Sequence, residues 1–246
     1  MPRLAVIGHL SRDVVAGASP RIGGGPWHAG RALRLSGNDA VLVAKSAEPS
    51  FRDRLATLGL PVSFAADERP TSFSFSYDVD GVRTMHVDAI GTPWRIDELP
   101  GLEGVEWVQV VPLLRGDFDV DVLEWLARGR KILFDGQGLA RARETGSLAL
   151  NGAFDPAVLQ HVTALKLAIE EAEAIGDVDV PELIVTDGVH GATVNSEHIP
   201  ADVVAADPTG AGDAFAAGYV AARAFGLAPL EAGRRATALV AELLAR

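Results

Sequence analysis

Cysteine is absent from the 246 residues, which excludes disulfides, thiolate nucleophiles and zinc–thiolate sites. Positive charge is scarce as well. Lys and Arg number 22 against 33 Asp and Glu, a formal net charge of −11. Such a surface offers no basic footprint for duplex nucleic acid and is repelled by an anionic membrane, although it leaves room for a local cationic pocket. No apolar run approaches the ~20 residues that span a bilayer. The first apolar run starts already at Leu4, leaving no room for a leader segment, so a cytoplasmic protein is expected. The 6 histidines show no metal-ligand spacing such as His-Glu-x-x-His, and no zinc site is expected. What is present, 48% hydrophobic and 22% charged residues, matches an ordinary globular chain. The length favours a single compact domain over residues 1–246.

Short β-rich runs alternate with longer helical segments. Leu4 to Ile7, Val41 to Ala44, Val108 to Val111, Lys131 to Asp135 and Leu183 to Thr186 read as buried strands. Pro26 to Leu35, Phe51 to Leu58, Val120 to Arg128, Gly212 to Phe225 and Pro229 to Arg246 read as helices, with Pro26 and Pro229 near helix starts and Gly37 and Gly59 just past helix ends. This alternation predicts an α/β fold with a central, mostly parallel sheet flanked by helices. Residues 71–88 break the rhythm: Phe73, Phe75 and Tyr77 alternate with Ser72, Ser74 and Ser76, and Asp80-Gly81 offers a turn. That pattern predicts an antiparallel hairpin. It is either an edge of the main sheet or a small β lid, its polar face over a ligand and its aromatic face on the body or on a partner subunit.

The stretch Asp207-Pro208-Thr209-Gly210-Ala211-Gly212-Asp213-Ala214-Phe215 carries the chemistry. Glycines at 210 and 212 allow a tight turn and close approach of a ligand to the backbone. A helix follows at once, so its unpaired N–H groups and positive dipole end form an anion site. Asp213, in the first turn, sets a carboxylate beside that anion, where it can accept a proton from an attacking hydroxyl. Two other phosphate motifs fail. No Gly-x-x-x-x-Gly-Lys-Ser/Thr occurs, and Phe215 stands where a dinucleotide fingerprint needs its third glycine.

Asp207 to Phe215 resembles the carboxyl-terminal signature of the ribokinase-like, or PfkB, carbohydrate kinases, and the resemblance extends over most of the chain. It implies Asp213 as general base and Gly210, Ala211 and Gly212 as the anion hole. Val6-Ile7-Gly8 with Asp13, and Gly23-Gly24-Gly25-Pro26-Trp27-His28, are similar to the family's first strand and substrate loop, which implies that Asp13, Gly24, Gly25 and His28 bind the acceptor. Thr186-Asp187-Gly188-Val189-His190-Gly191 is similar to its nucleotide-side turn, implying Thr186, Gly188 and Gly191 near the nucleotide. The hairpin sits where the family keeps a β lid, which also makes a homodimer through the lid an expected contact. Asp135 to Arg141 resembles a subset that includes inositol kinases and adds Arg141 as an acceptor-binding candidate.

Two departures stand out. His28 replaces a family asparagine, and the Asn-x-x-Glu motif reads Ala168-Ile169-Glu170-Glu171, keeping only Glu171. The expected activity is transfer of a phosphoryl group from ATP to a hydroxyl of a sugar, cyclitol or related polyol. Mg²⁺ accompanies the nucleotide, with Glu171 acting on it through water. The rival readings are a nucleoside kinase of the same family and a non-catalytic sugar or nucleotide sensor. The sensor has no need of the base at Asp213. Trp27 reads as a packing residue, and a lone cation such as Lys45 as a solvated surface residue.

Overall fold

The computed structural model describes residues 3–16, 18–77, 83–201 and 209–245. The Asp80-Gly81 turn and the Asp207-Pro208 start of the signature lie outside the described residues. In chain order the elements are β1 (Arg3–His9), β2 (Ser11–Val15), β3 (Arg21–Gly23), α1 (Gly25–Leu35), β4 (Ala40–Ser46), α2 (Ser50–Ala56), β5 (Val62–Ala66), β6 (Ser72–Tyr77), β7 (Arg83–Ala89), β8 (Val105–Val111), α3 (Val120–Ala127), β9 (Lys131–Asp135), α4 (Gln137–Ala140), β10 (Gly146–Ser147), β11 (Ala164–Ala168), α5 (Ile169–Ile175), β12 (Glu182–Thr186), β13 (Ala192–Val194), β14 (Glu197–Ile199), α6 (Ala211–Ala224) and α7 (Pro229–Leu244). None of the described helices is long and apolar enough to cross a membrane.

A nine-stranded sheet runs β14-β13-β12-β11-β9-β8-β1-β4-β5. Its strands pair in parallel from β12 to β5, and β13 and β14 close one edge antiparallel. Strand periodicity sorts the core into two layers. Leu4 and Val6 of β1 face one layer with Leu33 of α1, Tyr219 of α6 and Leu239 of α7. Ala5 and Ile7 face the other, with Leu123 and Leu126 of α3. Helices therefore cover both faces, as the runs of buried aliphatics in the parallel strands require.

The hairpin belongs to a second sheet, ordered β10-β7-β6-β2-β3. That sheet is assembled from three separate stretches of chain, wider than the 71–88 hairpin expected from the sequence. Phe73 and Phe75 point inward and pack with Val87, Leu113 and Leu114. Ser76, His86 and Asp88 are exposed on the other face. The aromatic face thus lies on the body as expected. Asp13 pairs with Phe73 across β2 and β6, which places the acceptor-binding candidate on the aromatic face rather than on the serine face.

Candidate active site

The sequence-predicted anion turn stands at the start of α6. Gly210 caps the helix in the left-handed region at φ 82°. A side chain there would be strained and would also collide with the His28 ring. The first bond of the helix is Ala214 N–H to Gly210 O at 2.9 Å. The amides of Ala211, Gly212 and Asp213 therefore have no partner within the helix and carry its positive end.

Asp213 anchors in this turn through its own carbonyl, which accepts a hydrogen bond from Gln109 Nε2 of β8 at 3.2 Å. Burial raises the pKa of its carboxyl to about 7, and Asp135 and Glu171 push in the same direction against Lys166 and Arg141. A carboxyl group held there is a proton acceptor matched to neutral pH. Three carboxylates and two cations thus surround one spot at the carboxyl ends of β9 and β11, where open α/β sheets bind their ligands.

The cations are tied to the carboxylates in pairs. Lys166 Nζ lies 3.1 Å from Asp135 Oδ2. Burial disfavours its charge, but Asp135, Glu171 and Asp213 outweigh that and hold its pKa above the ordinary lysine value. Arg141 Nη2 lies 3.5 Å from Glu171 Oε1. Glu171 Oε2 accepts the Ala168 N–H at 2.9 Å and closes the first turn of α5. Lys166, Asp135 and Gln109 are the site residues that sequence reasoning missed. The available signal was a lysine between Leu165 and Leu167, and an aspartate ending the apolar run 131–135.

On the acceptor side, Asp13 is 6% exposed and accepts Ser11 Oγ–H at 2.7 Å. The glycines beside it have packing reasons of their own. A Cβ at Gly23 would strike the Asp13 carboxylate, at Gly24 (φ 94°) the His9 carbonyl, and at Gly25 the Val111 side chain. Gly24 and Gly25 let this loop pass against the ends of β1 and β8. His28, in the first turns of α1, lies against Gly210, so it joins the loop predicted to bind the acceptor to the predicted anion turn.

The nucleotide-side candidates lie at the β12–β13 turn. Thr186 pairs with Ala168 in register and its hydroxyl donates to Leu167 O at 3.2 Å. Gly188 (φ 47°) and Gly191 (φ 103°) take left-handed conformations that shape the turn, and a Cβ at 191 would collide with Ile199 O. No described contact joins these three to the Asp213 cluster. Lys45, expected on the surface, is 1% exposed and donates to Glu98 at 2.7 Å and to Pro93 O at 3.0 Å. It pins the 93–98 segment and takes no part in the anion site.

Matches to known proteins agree with this geometry. Residues 156–245 match the model of the pfkB family carbohydrate kinases. An inositol 3-kinase from Zea mays is 33% identical over 130 residues, which is 48% of this chain and 34% of that enzyme. The chain thus matches about a third of the maize enzyme's length. A solved pyrophosphate-dependent kinase in the ribokinase family, complexed with a pyrophosphate analog and myo-inositol, superposes with a TM-score of 0.86 at 22% identity, over 99% of this chain and 95% of that one. The ribokinase of Thermotoga maritima superposes with a TM-score of 0.74 at 17% identity, over 100% and 94%. A nucleoside kinase of Burkholderia thailandensis in complex with inosine gives 0.71 at 22%, over 99% and 91%. The sheet order and these superpositions give the chain a ribokinase fold, and its carboxyl-terminal part, residues 156–245, is similar to the pfkB family carbohydrate kinases.

Proposed function

We propose that the protein transfers a phosphoryl group from a polyphosphate donor to a hydroxyl of a cyclitol, with myo-inositol as the first acceptor to test. The observation that carries this reading is Asp213, a carboxyl group with its pKa raised to about 7 in the same helical turn as the Gly210–Gly212 amides. Asp213 takes the proton of the attacking hydroxyl. The hydroxyl oxygen bonds to the terminal phosphorus, the bond from phosphorus to the bridging oxygen breaks, and the remaining donor leaves with that electron pair. The helix amides hold the equatorial oxygens of the transferring group. Asp13 holds an acceptor hydroxyl, with the aromatic lid face closing over it.

ATP is the donor that the family implies, with Thr186, Gly188 and Gly191 on its side of the site. The solved relatives include both pyrophosphate-dependent kinases and an ADP complex. Mg²⁺ would neutralise donor charge. Among the described residues no group of three or more His, Asp or Glu could hold a metal ion by itself. Glu171 has both oxygens engaged, by the Ala168 amide and by Arg141. These residues fit a cation that arrives on the donor and is met by Glu171 through water. A homodimer clasped through the lid would be a polar contact, since Ser76, His86 and Asp88 face outward. A cytoplasmic location suits both substrates. The reading is tested by offering Mg²⁺–ATP and Mg²⁺–pyrophosphate with cyclitols, sugars and nucleosides and following new phosphate monoesters by ³¹P NMR. Turnover confined to nucleosides would replace the cyclitol. Tight polyol binding without turnover for any donor would turn the protein into a sensor.

A further inference from the structure

Lys166 lies in the middle of β11 with 6% of its surface exposed, a place where a lysine needs a reason. Asp135 takes one of its three N–H donors. The ammonium lies 2.9 Å from where a Cβ on residue 212 would stand, so it faces the backbone of the anion turn. Side chains 166 and 168 leave β11 on the same face, and the one at 168 is a single methyl group. Nearby, Arg141 has its Nε buried without a hydrogen-bond partner. Each cation is tied to one carboxylate and keeps donors in hand.

We propose that Lys166 is a catalytic residue that binds the terminal phosphate of the donor together with the Gly210–Gly212 amides; this rests on the phosphotransferase reading above. A lysine recognises phosphate as a point charge. The contact is therefore common to any donor ending in a phosphate, a nucleoside triphosphate or inorganic pyrophosphate alike. As the phosphoryl group loosens from the donor, the ammonium stabilises the charge spread over its oxygens.

The test compares wild type with Lys166→Met and Lys166→Arg, using myo-inositol with Mg²⁺–ATP and Mg²⁺–pyrophosphate in separate assays. Calorimetric titration with pyrophosphate and with myo-inositol accompanies them. Lys166→Met is expected to lose about 10²–10³-fold in turnover and at least tenfold in pyrophosphate affinity, with myo-inositol affinity unchanged and part of the loss restored in Lys166→Arg. Its turnover should also need a higher pH, because the ammonium no longer favours the Asp213 carboxylate. The other charges acting there, Asp135 of β9, Arg141 after α4 and Glu171 of α5, stay in place.

If Lys166→Met does not fold because Asp135 is left unpaired, the double variant with Asp135→Asn keeps the pocket neutral and should show the same losses. Turnover within threefold of wild type overturns the proposal. So does a loss shared in full by Lys166→Arg with pyrophosphate affinity unchanged. Transfer from only one donor identifies the source and supports the contact. A wild type that binds pyrophosphate through Lys166 yet phosphorylates nothing supports the phosphate site and overturns the kinase reading alone.

Discussion

Burial, Asp135 and Glu171 raise the pKa of Asp213 to about 7 against the pull of Lys166 and Arg141. A base must be ionised to accept a proton, so turnover should climb with pH through about 7 and level off above it; a pH–rate profile flat from 5 to 9 would remove Asp213 as the base. Stability responds with the opposite sign. The folded protein keeps a proton on Asp213 that the unfolded chain releases near the usual carboxylate range, so this group's contribution is lost as pH rises from about 4 to about 7. Asp213→Asn removes the base and the penalty together. Turnover should fall about 10²–10⁴-fold, while the melting temperature at pH 8 rises by about 2–4 °C. Calorimetry on the variant and wild type at pH 5 and pH 8 checks this, because the gain should shrink at the lower pH.

The entry to α6 and the lid place these groups. Gly212→Val would push a side chain toward Lys166 Nζ, 2.9 Å from the Cβ position, and block the backbone face proposed to hold phosphate. Activity should collapse while the protein still folds, and a fully active folded variant would separate the turn from phosphate. On the lid, Asp13→Ala should raise the KM for the acceptor and lower turnover with donor affinity nearly intact, since an unpaired hydroxyl is left in the site. The α6 turn was legible in the sequence because the anion site proposed there is built from backbone alone, and glycine spacing records backbone. Most of the main strands and helices were legible from their periods, but β5, β11 and α5 were not read as elements. The second sheet was not, because β2, β3 and β10 are 5, 3 and 2 residues long and meet only through long-range pairing. Lys166 was hidden for a related reason: whether a lysine within an apolar run is buried depends on Asp135, 31 residues away.

The molecule as a whole carries a net charge of −11, yet its candidate site gathers two cations under a helix terminus. Donor binding should therefore be a local event that stabilises the fold by mass action. Pyrophosphate or nucleotide at 100 times its Kd should add about 2.7 kcal/mol, read as a rise in melting temperature that falls to about half or less in Lys166→Met at the same ligand concentration. The second sheet is rooted in one large layer through Ile22 of β3, but its β6–β7 hairpin packs only on the small cluster of Phe73, Phe75, Val87, Leu113 and Leu114. The hairpin can therefore open without breaching either layer. Backbone amides of 72–77 and 83–89 should then trade protium for deuterium through a partial opening, faster than those of β1 and β8, which wait for global unfolding. On the proposed kinase reading, a bound acceptor under Asp13 should slow that exchange, and the same opening frequency should set the pace at which a phosphorylated product escapes.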